Sequence, residues 1–168
     1  MNKIVLRAVS ALALVMTAAG TAQAADSNAV ADAAVVQPLQ LVNTRDLEFG
    51  AMLSGATDGT MVVNPSTDAR TATGGVTAAG TAGHAAQFFT YGGPLQFVLV
   101  TRGPLPVLQR QGGGASMNVS QLVLNGPVFR YLSTAGVLDL RVGGTLQVGA
   151  NQPSGNYDGD YTITVTYF

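Results

Sequence analysis

The sequence predicts an all-β fold, a sandwich of about nine or ten short strands. Three observations predict it. Only 10% of the residues are charged, and Gly, Ala, Thr and Val dominate. Helix formers other than Ala and Leu are scarce: Glu48 is the one glutamate, and no lysine follows Lys3. Short apolar runs recur between Gly and Pro at the spacing of strands and turns.

The first 24 residues read as a targeting segment rather than as part of the fold. Lys3 and Arg7 precede the apolar stretch AVSALALVMTAAG, and Ala22-Gln23-Ala24 supplies a cleavage site. This is the pattern of a secretory signal peptide. The apolar run is too short to span a bilayer, and no second run of about 18 apolar residues follows. Export to the periplasm and then to the cell surface or medium is expected, without membrane insertion. Cleavage after Ala24 leaves one domain's worth of chain. The sequence has no cysteine, which excludes disulfides, a lipid-bearing cysteine and thiolate metal sites. Beyond the leader the basic residues are Arg45, Arg70, Arg102, Arg110, Arg130 and Arg141, scattered among nine acidic residues. No stretch is basic enough to track phosphates, so nucleic acid is not an expected partner.

Residues 25–37 are alanine-rich and precede any clear strand; they form an N-terminal extension, with the sandwich domain over 38–168. Strands are expected at 38–44 and 46–53. SGATDG (54–59) reads as a turn, since it offers Gly for positive φ and Asp for side-chain turn bonds. A strand at 60–65 follows, then a glycine-rich loop over 74–86 with a short strand around Val76. Further strands are expected at 87–92, 95–101 and 106–110, with QGGG (111–114) as a flexible turn. The segment 116–125 alternates through Met117, Val119 and Gln121 and shifts register at Leu122, as one bulged strand or two pieces. Strands at 128–134 and 136–149 follow. In the latter, Val137, Asp139 and Arg141 alternate with Leu138, Leu140 and Val142, the mark of a strand with one wet face. A loop at 151–159 leads to the last strand, 160–168.

Catalytic chemistry finds no constellation. His84 is the one histidine, so a Ser/His/Asp triad would depend on it, and no G-x-S-x-G elbow is present. One imidazole without thiols does not make a zinc site. Asp158 and Asp160 are spaced like calcium ligands, but no bidentate Glu follows, and Asp-Gly suits a tight turn. Asp46 and Glu48 form a similar i, i+2 pair. No enzyme activity and no cofactor are expected.

The ending DYTITVTYF alternates strictly. Tyr161, Ile163, Val165 and Tyr167 share one face; Thr162, Thr164, Thr166 and Phe168 share the other. Outer-membrane barrels also finish on Phe, but there the face bearing that Phe meets lipid, and here it is threonine. The ending resembles more closely that of chaperone–usher pilus subunits, with a penultimate aromatic (Tyr167), alternating apolar residues (Val165, Ile163, Tyr161) and a glycine fourteenth from the end (Gly155). It also resembles spore-coat-U-like domains. Over roughly 38–168, through DLEFGAMLSG, TMVVNP, TATGGV, GGGASMNVS and LRVGGTLQVGANQPSGNYDGDYTITVTY, the chain is similar to a family of bacterial exported domains of unknown function. Many pilins carry a disulfide that this chain lacks.

The resemblance implies an immunoglobulin-like sandwich of the pilin type, incomplete by one strand and completed by a donated one. It implies a non-enzymatic fimbrial or surface-fibre subunit. Its partners would be copies of itself or related subunits, with a periplasmic chaperone and an outer-membrane usher. The extension offers a register for donation: Ala29, Ala31, Ala33 and Val35 share an apolar face, whereas Asp32 interrupts the other. The same segment reads also as an unstructured leader. The alternative function is a self-complete secreted sandwich that binds a ligand such as a glycan. Phe88, Phe89 and Tyr91 are the cluster that could stack on a sugar, although the core is their expected destination.

Overall fold

The structure, a computed structural model, describes residues 27–168. The signal peptide read over 1–24 lies outside the described residues, as do positions 25 and 26. Residues 27–34 do not belong to the compact unit Val35–Phe168, and residues 27–39 contain no strand.

This unit is an all-β sandwich of eleven antiparallel strands, with no helix among the described residues. In chain order they are β1 (Gln40–Arg45), β2 (Met52–Val63), β3 (Arg70–Ala78), β4 (Ala86–Tyr91), β5 (Phe97–Arg102) and β6 (Val107–Arg110). Then come β7 (Ser116–Leu124), β8 (Phe129–Tyr131), β9 (Val137–Val148), β10 (Tyr157–Asp158) and β11 (Ile163–Tyr167). Eight strands form a large curled sheet, and β11, β5 and β8 form a small one in that order.

β9 organises the large sheet. Its first half pairs with β4, and its second half, Gly144–Val148, pairs with β2 on the same edge. β7 lies along its other edge. The hand-over from β4 to β2 falls at Gly143, where a Cβ would sit 2.2 Å from the Val63 carbonyl oxygen. Only glycine lets the two backbones approach this closely. The predicted wet face of β9 is present: Leu140 and Val142 are fully buried, while Asp139 points to solvent.

Two expectations need correction. SGATDG is not a turn between strands but part of β2. Gly55–Asp58 bulge out between the pairs Ser54↔Val76 and Gly59↔Gly74, opposite Gly75 alone. The turn chemistry is spent inside the strand because Gly74 takes φ +63° and a Cβ on Gly75 would lie 2.0 Å from the Thr57 carbonyl oxygen. The short strand expected around Val76 is present as the end of β3, which runs from Arg70 to Ala78. The expected strand at 46–53 is reduced to one backbone bridge, Glu48 to His84, before β2 begins. β7 is one bulged strand, shifted between Val119 and Gln121.

Met61, Leu122, Leu140, Leu146 and Val142 of the large sheet pack in one core with Val100 and Ile163 of the small sheet. A polar clasp closes the end of the sheet near β1. Asp68, at φ +60°, accepts from the Ala85 amide at 2.8 Å, from Arg45 Nη2 at 3.1 Å and from Arg141 Nη2. Burial acts to raise the Asp68 pKa, but the Ala85 amide and the two guanidiniums outweigh it and hold the carboxyl below its usual range.

Candidate functional site

The C-terminal strand is an edge. β11 pairs with β5 alone among the described residues. Gly103 donates to the Thr162 carbonyl at 2.8 Å and Phe168 donates to the Phe97 carbonyl at 3.1 Å. These bonds fix the even-numbered positions as the hydrogen-bonded pairs. In an antiparallel ladder the alternate residues then aim their N–H and C=O groups the other way. The backbone groups of Ile163, Val165 and Tyr167 therefore point off the free edge. Their side chains turn toward the core and the threonines outward, as the alternation predicts: Ile163 is buried, and Val165 and Tyr167 are half-buried.

Natural edge strands carry lysine, proline, a bulge or extreme shortness that discourages pairing. β8 and β10 are short, and β1 has both a bulge and Arg45. β11 has none of these features: ITVTY is regular, uncharged and of high β-propensity.

Beside Tyr161, two residues before this strand, opens a groove of about 1030 Å³. Its floor is core: Phe49, Phe88, Met117, Val119, Leu146 and Val148. Its rim brings together two acidic pairs that the sequence presents far apart, Asp46/Glu48 and Asp158/Asp160. Glu48 Oε2 is 3.3 Å from His84 Nε2. Among the described residues no group of three or more His, Cys, Asp or Glu side chains could hold a metal ion. Burial, with Asp46 nearby, raises the Tyr161 phenol pKa to about 12, so it stays a neutral donor.

Tyr167 fastens the other end. Its hydroxyl accepts from the Gly93 amide at 2.9 Å and donates to the Gln37 carbonyl at 2.7 Å. Gln37 precedes β1 and lies at the Tyr167 end, whereas Asp46 follows β1 and acts on Tyr161. β1 and β11 thus run in opposite directions.

The structure brings Tyr161, Ile163, Val165 and Tyr167 onto one face and places Gly155 on the groove wall. Gly155 has φ +150°, and a Cβ there would lie 2.7 Å from Arg110 Nε. Ala29, Ala31, Ala33 and Val35 lie in no strand and are exposed. Phe88 turns inward against the core, but Phe89 and Tyr91 face outward with ring centroids 6.4 Å apart, so the expected burial holds for one of the three. Sequence reasoning missed Gly93 and Gln37 as partners of Tyr167. A contact over 74 or 130 residues leaves no local signal.

Among the described residues the fold is a β-sandwich whose last strand lies at a sheet edge, with a groove opening at Tyr161 just before it. The chain belongs to the family described as "Domain of unknown function (DUF4402)", which matches residues 39–167, from the residue before β1 to the end of β11. No curated protein and no solved structure matches the chain.

Proposed function

We propose that this protein is a non-enzymatic structural subunit of an exported surface fibre, joined to the next subunit by strand donation. The observation that supports it best is the undefended edge that β11 presents among the described residues, with a groove that reaches the core opening at Tyr161 just before it. The reading adds a strand to β11, supplied by residues 25–37 of another copy or a related subunit. Ala29, Ala31, Ala33 and Val35 would face the core beside Ile163 and Val165, and the backbone groups of Ile163, Val165 and Tyr167 would take the ladder bonds. Small side chains contribute little each, on the order of 1 kcal/mol per buried methyl, so main-chain pairing carries much of the recognition.

The direction of the chain favours donation between molecules. Gln37 is held at the Tyr167 end, so a leader folding into its own gap would run parallel to β11. A strand from another molecule can run antiparallel, the slightly more stable pairing. An exposed edge of this kind also needs cover before assembly, which is the role of a periplasmic chaperone, with an outer-membrane usher as the assembly platform.

Light scattering on residues 25–168 and 38–168 tests the reading. Polymers formed by the longer chain and not by the shorter are expected. A synthetic peptide of residues 25–37 should raise the melting temperature of 38–168. Well-folded monomers of both chains, with no response to the peptide, would refute strand donation.

A further inference from the structure

The outer face of the small sheet gathers aromatic residues that are widely separated in sequence. β5 and β8 turn Val98, Val100 and Arg130 inward, so their alternate residues point out. The strand register arranges these outward residues in rows. The first row is Phe168, Phe97 and Tyr131; the second is Thr166, Leu99 and Phe129; the third begins with Thr164 and Thr101. Successive rows lie roughly 7 Å apart, two residues along each strand. The face therefore grades from rings at one end to hydroxyls at the other over about 14 Å.

The rings hold one another in place. Phe97 and Phe129 are 5.7 Å apart and nearly parallel, at 7°. Phe168 meets both edge-on, at 5.8 and 5.2 Å, and Tyr131 leans on Phe97 at 4.7 Å. Mutual contact has not hidden them: Tyr131 is 66% exposed and Phe168 is 79% exposed. A contiguous aromatic patch left in water by a folded domain marks a binding surface.

The chemistry of the face identifies the occupant. None of the outward side chains in the three rows carries a charge, and none offers a cation to a phosphate, sulfate or acidic polymer. It combines π-faces, whose quadrupole is negative and attracts weakly positive C–H groups, with hydroxyls that both donate and accept. A pyranose is the complement: one face lined with C–H bonds and a rim of neutral hydroxyls.

We propose that this face binds a neutral polysaccharide. Tyr131 and Phe168 stack on sugar rings, and the hydroxyls of Thr166, Thr164 and Thr101 bond the rim of the following units. The proposal is independent of strand donation, which uses the free edge of β11 and its inward side chains.

Affinity electrophoresis of the secreted chain through gels containing mannan, hydroxyethyl cellulose or soluble β-glucan tests it, with polygalacturonate as the charged comparison. Retardation by at least one neutral polymer is expected, at least ten-fold weaker in Tyr131→Ala and in Phe168→Ala. Thr101→Val, which keeps shape and loses the hydroxyl, should weaken it about three-fold. Tyr91→Ala, on the large sheet, should leave it unchanged. All four side chains are on the surface, and unchanged melting curves would show that the variants fold. No retardation by any neutral polymer would overturn the proposal, as would stronger retardation by polygalacturonate. So would a Tyr131→Ala/Phe168→Ala double variant that binds no sugar less well but changes from dimer to monomer, since the face would then be a contact between copies.

Discussion

Replacing Tyr167 by Phe removes one oxygen atom and keeps the ring. The hydroxyl makes two hydrogen bonds, accepting from the Gly93 amide at 2.9 Å and donating to the Gln37 carbonyl at 2.7 Å. The first is partly buried and is worth about 1 kcal/mol net. The second lies in solvent, where water replaces the lost partner, and adds at most a few tenths of a kcal/mol. The expected destabilisation is therefore about 1–1.5 kcal/mol, or roughly 3–5 °C in Tm for a domain of this size. Urea unfolding of wild type, Tyr167→Phe and the control Tyr91→Phe measures it, and the slope with denaturant should not change. Amide exchange supplies a local readout: Gly93 should lose about ten-fold in protection, while Val100, in the middle of β5, keeps its own. If Tyr167→Phe unfolds with wild type and Gly93 stays protected, the hydroxyl does not fasten the end of β11, and the path assigned to the chain at Gln37 is wrong.

Two further outcomes are expected. The carboxyl of Asp68 titrates lower in the folded protein than in the unfolded chain, because the Ala85 amide and the Arg141 and Arg45 guanidiniums overcome the burial that would raise it. Its contribution is complete above the unfolded value of about 3.9 and is lost as pH falls through the folded value. Asp68→Asn, which tolerates φ +60° equally well, should cost about 1–2 kcal/mol at pH 7. The gap from wild type should close as pH falls below about 4 and passes through the folded value, and a gap independent of pH would refute the assignment. Leu140→Ala, at a fully buried position on β9, should cost about 2–5 kcal/mol in urea unfolding; a loss below 1 kcal/mol would mean that β9 is not the centre of the core.

The sequence alone determined the class of fold and most of the strands. Low charge, abundant Thr and Val, and two-residue alternation are local properties, and they dictate strands wherever one face can be buried. The alternation in ITVTY settled which side of β11 turns inward, and LDLRV did the same for β9. Local chemistry misled where it has two uses: glycine and aspartate in SGATDG serve a bulge inside β2 as readily as a turn, and the partner strand decides between them. Tertiary structure alone decided what lies beside what. It put β11 at an edge, placed Gly93 and Gln37 on the Tyr167 hydroxyl, and drew Asp46 and Asp158 to one rim. It assembled Phe97, Phe129, Tyr131 and Phe168 from three strands into one patch. Side-chain periodicity records only that a residue faces inward or outward. Strand order and register, set by the packing of the whole core, choose its neighbours.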